Sequence, residues 1–432
     1  MPRVEDERPG RDHIWSRASV GKSLQVNSVR TELRILSREN SRESQVSMTK
    51  YSYLLLLLVA VGAAAFGNEH QGDAPTVRLL RLPPAGIQPQ VALDNQGVAH
   101  VVYFSGDPAN GDLLYARLNG ETFSAPLRVN SQPGSAIATG TVRGARIAIG
   151  QNGRVHVAWN GSNRATAKGE PTPMLYTRMN DARTGFEPQR NLLQFAAGLD
   201  GGGAIAADSR GRVFVAWHAG GPESKGEGDR RVWLTTSTDD GRTFGRERAI
   251  SNIETGACGC CGMDGLVDSR GSLFFLYRSA REVMNRDSYL LASTDGGRTF
   301  RSVMMQPWGI GACPMSTYEL TAGNGRVLAA WETGGHVQYT EVTPATADNP
   351  TAVAPPGTSG SRRHPSLAIN ARGDVLMSWS EGTGWQKGGS VAWQVFDRGG
   401  KATAPAGRAA GLPVWSLSAA FATADNGFRI IY

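Results

Sequence analysis

Cysteine is scarce in this chain, and long apolar runs are absent. Four cysteines in 432 residues are too few for a scaffold built on disulfides. The most apolar stretch, residues 54–61, is shorter than the roughly 18 residues expected of a membrane-spanning helix. The sequence therefore predicts neither a disulfide-rich miniprotein nor a stable membrane anchor.

An excess of one charge sign is also lacking. The chain has 45 basic and 38 acidic residues, a net charge of +7, and residues 66–432 alone carry only +4. This balance is too mild to indicate binding to nucleic acid. Glycine, in contrast, is abundant at 54 residues. Without a Gly-X-Y period, that abundance indicates many turns and excludes collagen.

The first 67 residues are predicted to lie outside the fold. Residues 48–67 contain Lys50, the apolar run and then small residues, which is the layout of a secretory signal peptide. Residues 1–47 are polar and show no sustained period. We interpret them as a disordered extension or as the product of a wrongly chosen start codon upstream of Met48. The predicted location is secreted or periplasmic.

A repeat of 48–60 residues governs the remaining segment, 68–432. Each unit has an apolar strand, a tight turn ending in glycine, and a second strand that ends in Trp or Tyr in most units. The pattern is clear in VALDNQGVAHVVY (91–103) and IAADSRGRVFVAW (205–217), which align without gaps. A third strand and a weaker fourth follow in most units. The glycines that mark the turns are Gly97, Gly153, Gly211, Gly271, Gly325, Gly373 and Gly427.

Four antiparallel strands per repeat are typical of a β-propeller blade. A β-helix would have shorter repeats, and a β-sandwich would not repeat itself seven times. Six units are complete, and the seventh has only two strands. The segment 76–82 looks like an outer strand without a blade of its own. Its pairing with the seventh unit predicts an all-β ring of seven blades, the last closed by both termini. Six blades is the alternative.

One octet, S-x-D-x-G-x-T-F, stands between the third and fourth strands of two units, at residues 237–244 and 293–300. Its Asp can accept backbone hydrogen bonds within the turn, and its Gly can take a left-handed conformation. The octet resembles the Asp-box, or BNR repeat, of the sialidase superfamily. The cysteine loops are similar to those of exported bacterial BNR-repeat proteins. The resemblance implies a propeller in which Asp239 and Asp295 serve the fold and lie away from the active site.

The strand order also separates two faces of the ring. The glycine turns and the octets share one end, here called the bottom face. The loops that enter each first strand and leave each second strand share the other end, the top face. Ligands of propellers bind on such a face around the central channel. The top-face loops are polar, so this face is predicted to be functional.

The resemblance to sialidases implies three chemical parts on that face. Arginines would clamp a substrate carboxylate, a tyrosine activated by a carboxylate would be the nucleophile, and an acid would protonate the leaving oxygen. The catalytic candidates are Tyr318, Glu332 and Asp264, with Glu319 and Asp200 as alternatives for the two carboxylates. The substrate-binding candidates are Arg146, Arg278, Arg362, His218 and Trp385.

The predicted function is binding or hydrolysis of a glycan or glycoconjugate by an exported propeller, as an exo-glycosidase of sialidase type. The alternative is a non-catalytic propeller that binds carbohydrate or protein. One departure concerns the family's first arginine. Its motif has an aromatic residue, whereas the segment around Arg81 reads Leu-Arg-Leu-Pro. Whether the protein is an enzyme, and its oligomeric state, stay open at this point. No cofactor is predicted.

The cysteines are few but gathered in two neighbouring loops that enter blades. An oxidising compartment favours disulfides, and adjacent cysteines are poorly placed to bond each other. Two disulfides are therefore predicted, with their pairing open. The alternative is a soft-metal site with Met263 and Met315 as thioether ligands, but regular ligand spacing is absent and no metal is predicted. The candidates are Cys258, Cys260, Cys261 and Cys313.

Overall fold

The computed structural model describes residues 74–282, 284–358 and 360–432. The extension and signal peptide predicted for residues 1–67 lie outside these ranges. The described residues contain no α-helix, and none of their helices is long and apolar enough to cross a membrane. The short 3₁₀ helices among them are Gln151–Gly153, Glu227–Asp229 and Ile253–Thr255.

The described strands form seven sheets, the blades of a β-propeller. The outer strand of the last blade comes first in the chain and is β1 (Val77–Leu80). Blade 1 contains β2 (Ile87–Leu93), β3 (Ala99–Ser105), β4 (Asp112–Asn119), β5 (Thr122–Phe123) and β6 (Leu127–Arg128). Blade 2 contains β7 (Arg146–Ile149), β8 (Val155–Asn160), β9 (Met174–Arg178) and β10 (Arg190–Asn191). Blade 3 contains β11 (Ala204–Ala207), β12 (Val213–Ala219), β13 (Arg231–Ser237) and β14 (Arg248–Ala249).

The other four blades continue the same antiparallel order. Blade 4 contains β15 (Asp264–Val267), β16 (Leu273–Arg278), β17 (Ser288–Ser293) and β18 (Arg301–Gln306). Blade 5 contains β19 (Glu319–Gly323), β20 (Arg326–Thr333) and β21 (His336–Glu341). Blade 6 contains β22 (Arg362–Ile369), β23 (Val375–Glu381), β24 (Gly389–Phe396) and β25 (Ala402–Leu412). Blade 7 contains β26 (Ala419–Ala422) and β27 (Phe428–Ile431), completed by β1.

The ring closes as the sequence predicts. β1 pairs with β27, with Val77 opposite Phe428 and Leu80 opposite Ile431. The first strands of the blades contact each other in order around the centre, and β2 of blade 1 contacts β26 of blade 7. The prediction of seven blades with the last one closed by both termini is therefore confirmed. β1 runs parallel to β27, whereas the pairings within the other blades are antiparallel.

The core lies between the blades, where each sheet packs against its neighbour. The Trp that ends a second strand fills this space. Trp159 of blade 2 is buried among residues of blade 1, including Phe104. Trp217 packs in the same way against Tyr176 of the preceding blade. Burying a large apolar side chain stabilises a fold by roughly 1.5–3 kcal/mol, so this repeated position explains why the aromatic recurs.

The octet at residues 237–244 forms a closed hydrogen-bonded turn. The Thr243 amide and hydroxyl both donate to the Asp239 carboxylate, at 2.9 and 2.6 Å, and the Ser237 hydroxyl donates to it at 2.7 Å. Partial burial alone would raise the pKa of Asp239, but the hydrogen bonds from Thr243 and Ser237 outweigh it and lower the pKa to about 2. This Asp is committed to the turn.

A charged cluster that includes Asp240 of this octet joins blades 2 and 3 at the bottom face. The Asp240 amide donates to the Gly211 carbonyl at 2.8 Å. The Asp240 carboxylate accepts from Arg154 and lies 3.6 Å from Nη1 of Arg178 and 3.4 Å from Nε2 of the buried His156. We call Asp240, Arg154, Arg178 and His156 the bottom cluster. It fixes the turn of one blade onto strands of the preceding blade.

Candidate functional site

The first strands of the seven blades line a central channel. At its top end the lining becomes polar, because the residue that precedes the aligned apolar motif is polar in five of the repeats. Four of these residues, which we call the channel quartet, carry an ionisable or amide group: Gln90, Arg146, Asp264 and Glu319. The equivalent residues of the other blades are Ala204, Ser366 and Ala419. The repeat alignment thus contains the signal for this set, which the sequence analysis used for all members except Gln90.

Contacts within the quartet involve one cation and two acids. Nη1 of Arg146 donates to Oε1 of Gln90 at 3.0 Å and lies 3.7 Å from Oδ1 of Asp264. The other Asp264 oxygen accepts from the Leu320 amide at 2.6 Å. Glu319 accepts from the Ser366 hydroxyl at 3.4 Å. The charge of Arg146 also opposes the rise in the pKa of Glu319, so a single guanidinium acts on both acids.

The electrostatics of these two acids disfavour their full ionisation. Burial raises the pKa of Asp264, although Arg146 opposes the shift. Burial also raises the pKa of Glu319 well above its usual range, and the charge of Asp264 adds to the shift. Two interacting carboxylates release their protons in separate steps. The pair can therefore hold one proton under conditions where isolated carboxylates hold none.

Tyr318, Glu332 and Arg278 lie together in the wall between blades 4 and 5. All three are buried. The Tyr318 hydroxyl is 3.1 Å from the Ser288 hydroxyl, and the Arg278 guanidinium lies over the Tyr318 ring at 5.4 Å. Burial raises the pKa of Tyr318 and of Glu332. This shift of the Tyr318 pKa opposes formation of a phenolate nucleophile.

The three predicted substrate arginines do not converge. Arg278 donates to the carbonyls of Arg286 and Glu332 at 2.6 and 2.5 Å. Arg362 donates to the carbonyls of Pro355 and Pro356 at 2.9 and 2.7 Å. Arg146 alone belongs to the channel. Buried polar groups are normally hydrogen-bonded, and backbone carbonyls occupy two of the three guanidiniums that the prediction assigned to a carboxylate clamp.

His218 also makes its hydrogen bond to a loop. It is buried, with Nε2 at 2.8 Å from the Cys261 carbonyl. Burial lowers its pKa to about 4, so the imidazole is neutral at physiological pH. A neutral histidine whose Nε2–H donates to a carbonyl fixes the cysteine loop instead of reaching an open pocket.

Trp385 lies at an open pocket on the top face. Its side chain is 62% exposed, and it meets Trp415 edge to face, with ring centroids 4.6 Å apart. Trp415 was not among the predicted site residues, although, like Trp385, it stands outside the repeated tryptophan position. We call this pocket the tryptophan pocket. Its lining includes Met315, Arg363, His364, Trp385, Lys387 and Trp415.

Four residues that line this pocket have a strained backbone. Met315, His364 and Trp415 all have positive φ, at 49°, 52° and 63°. Thr141, which also lines the pocket, has a φ of 67°. Such conformations are unfavourable for residues other than glycine and tend to occur at ligand sites. His364 sits where the pairing of β22 with β23 changes register.

The polar groups of the pocket are cationic or neutral. Arg363 and Lys387 supply positive charge. His364 is buried, with Nδ1 at 3.2 Å from the Thr317 hydroxyl. Burial, followed by the charges of Arg363 and Arg146, lowers the His364 pKa to about 3. The pocket can therefore stack a ring against tryptophan while attracting an anionic substituent.

The four cysteines form two disulfides beside this pocket. Cys258 is bonded to Cys261 within one loop, and Cys260 is bonded to Cys313 of the next entering loop. Disulfides between these residues agree with the prediction, and the structure supplies the pairing. The sulfur atoms of Cys258, Cys260 and Cys261 lie within 4.8 Å of one another.

Comparisons with known proteins agree with the fold. No model of a protein family and no curated protein matches the chain. A protein of unknown function from Dyadobacter fermentans has 15% identity and a TM-score of 0.50, over 74% of this chain and 97% of that one. A Hadza microbial sialidase has 15% identity and a TM-score of 0.46, over 73% of this chain and 69% of that one. An α-L-arabinanase from Penicillium chrysogenum has 12% identity and a TM-score of 0.49, over 74% and 95%.

The likeness to the Dyadobacter protein spans most of the propeller. At these identities it concerns the course of the chain and does not extend to the chemistry of its loops.

Proposed function

We propose that this protein binds glycans on its top face, in the tryptophan pocket. The observation that carries the proposal is the exposed Trp385, set edge to face with Trp415 in a strained, cation-lined pocket. An aromatic face offers the apolar side of a sugar ring a large contact area, and the polar rim of such a pocket fixes orientation.

Glycan binding is tested by calorimetry with neutral and acidic oligosaccharides. Trp385→Ala and Trp415→Ala are each expected to reduce affinity at least tenfold, the equivalent of about 1.4 kcal/mol. Phe195→Ala is a matched control, because Phe195 is also a partly exposed aromatic that packs on a Trp, Trp233, away from the pocket. Equal binding by all three variants and the unchanged protein would contradict the proposal.

Hydrolysis of a glycan is the second candidate function, and the acid pair Asp264 and Glu319 favours it. A carboxyl group kept protonated beside an ionised one can supply both acid and base catalysis. The predicted nucleophile Tyr318 is buried, so these two acids are the better candidates for chemistry. The test is turnover of fluorogenic sialosides, arabinosides and neutral glycosides. Activity that disappears in Glu319→Gln would support hydrolysis, and no turnover across the panel would leave a binding protein.

We also propose that the protein is exported, with a signal peptide that starts at Met48. The two disulfides support this, because disulfides persist in oxidising compartments. Cell fractionation and the intact mass of the mature protein test the proposal. Cleavage after Ala65 or Gly67 is expected, whereas a full-length cytoplasmic chain with reduced cysteines would contradict it.

A further inference from the structure

The four cysteine sulfurs form a continuous row beside the tryptophan pocket. Cys313 is bonded to Cys260, and Cys258 is bonded to Cys261. Between the two bonds, Sγ of Cys260 lies 3.5 Å from Sγ of Cys258. This separation is close to van der Waals contact, so the two disulfides are placed for exchange with each other.

Only one end of this row is open to solvent. Cys313 is exposed and lines the tryptophan pocket. Cys258, Cys260 and Cys261 are 0%, 5% and 1% exposed. An external thiol can therefore reach the sulfur of Cys313, whereas the Cys258–Cys261 bond is shielded. Exposed disulfides are the more labile and reactive ones.

The surroundings of Cys313 favour an anionic attacker. Arg363 and Lys387 line the same pocket, and the attacking species in disulfide exchange is a thiolate. Positive charge near the target sulfur raises the local concentration of thiolate and stabilises it. The geometry thus gives both a point of attack and an internal acceptor.

We propose that the four cysteines form a two-step thiol–disulfide relay that oxidises thiols at the top face. In the first step a thiolate attacks Sγ of Cys313, forms a mixed disulfide and releases the Cys260 thiolate. In the second step Sγ of Cys260 attacks Sγ of Cys258, which forms a Cys258–Cys260 disulfide and releases the Cys261 thiolate.

The reaction balances as one stoichiometric oxidation of two thiol molecules by the protein. A second thiolate attacks the mixed disulfide, releases Cys313 and leaves as the oxidised dimer of the thiol. Two electrons pass from the thiols to the protein, and their two protons end on Cys261 and Cys313. The substrate class is a small thiol that enters the pocket.

The relay is tested on the oxidised full chain with glutathione as the probe. After partial reduction the protein is quenched in acid and alkylated in denaturant, and the labelled cysteines are mapped by mass spectrometry. The relay predicts label on Cys313 and Cys261 together with a Cys258–Cys260 bond. Label confined to Cys313 and Cys260, with the Cys258–Cys261 bond intact, would overturn it. So would reduction of Cys258–Cys261 before Cys260–Cys313.

Two variants keep this test independent of glycan binding. In the double variant Cys258→Ser with Cys261→Ser the internal acceptor is missing, so label is expected on Cys313 and Cys260 only. Cys313→Ser leaves Cys260 as a free thiol without any reductant, and label on Cys261 in that variant reports the internal exchange directly. Label on Cys260 alone would overturn the second step. The thermal midpoint of each variant shows that the ring has folded.

Discussion

The two faces of the propeller treat their carboxylates in opposite ways. At the bottom face, hydrogen bonds hold the Asp239 carboxylate ionised, and the neighbouring Asp240 is surrounded by Arg154, Arg178 and His156. At the top end of the channel, Asp264 and Glu319 share Arg146, and their pKa values are raised.

The difference separates stabilising from functional electrostatics. A carboxylate whose pKa is lowered by its surroundings adds to the free energy of unfolding at neutral pH, whereas one whose pKa is raised subtracts from it. Ionisable groups that line a cavity and lower the free energy of unfolding are typical of catalytic or binding sites. Three carboxylate substitutions test this contrast, and a tryptophan substitution tests whether the top-face pocket contributes to stability.

Asp240→Asn is expected to have the largest effect. Asparagine tolerates the positive φ of 61° at this position, so the change removes mainly the charge from the bottom cluster. Buried Arg178 keeps Glu187, and Arg154 keeps Asp181. The loss is therefore expected below that of a fully broken buried pair, at about 2–3 kcal/mol. Urea unfolding measures it. Asp181→Asn removes an exposed partner of the same arginine, and an equal loss there would contradict the importance of burial.

Asp239→Asn is expected to cost about 1–2 kcal/mol, the net contribution of one or two hydrogen bonds at a partly exposed turn. Because the folded-state pKa, about 2, is below the ordinary 3.8, this stabilisation is complete above pH 4 and is lost as the pH falls towards 2. Thermal midpoints at pH 7 and pH 2.5 check this. Thr243→Val, which removes one donor, should cost less, and a loss independent of pH would contradict the assignment.

Glu319→Gln should increase the free energy of unfolding, whereas the two bottom-face substitutions should decrease it. Its raised pKa means that ionisation costs stability progressively as the pH rises from the ordinary value of 4.5 through the folded-state value. A gain on the order of 1 kcal/mol, the equivalent of roughly one pKa unit, is expected at pH 8 and little at pH 4. Glu254→Gln, an exposed control, should leave the free energy of unfolding unchanged at both pH 8 and pH 4. A destabilised Glu319→Gln protein at pH 8 would refute the contrast between the faces.

Trp385→Ala should have the smallest effect on stability. With 62% of its side chain exposed, the loss in free energy of unfolding is expected within about 0.5 kcal/mol, although glycan affinity falls. Differential scanning calorimetry measures it. Trp217→Ala, at the buried repeat position, is expected to cost about 3–5 kcal/mol. A comparable loss in both variants would make Trp385 a packing residue.

The ring was predictable because its information is local and repeated. A glycine turn at Gly211 with φ of 81°, alternating apolar strands and the aromatic at each second-strand end specify one blade, and repetition specifies the rest. The residues of the candidate site were harder to predict from the sequence. Whether Arg278 faces a ligand or the carbonyls of Arg286 and Glu332 depends on how irregular loops fold back, which no period encodes. The tryptophan pocket combines loops from four blades, so of its residues only Trp385 was predicted to bind substrate.

The parallel pairing of β1 with β27 has a consequence for how the protein is made. Val77 pairs with Phe428 at a sequence separation of 351 residues, which is very high for a contact within one sheet. Each blade can form its own hairpins as it emerges, but the ring stays open until residue 431 has been synthesised. Until then β1 and β27 lack each other as partners, and unpaired strand edges invite association with other chains. Because the ring closes last, pairing of the Val77–Leu80 strand with β27 decides whether the newly made chain folds or associates with other chains.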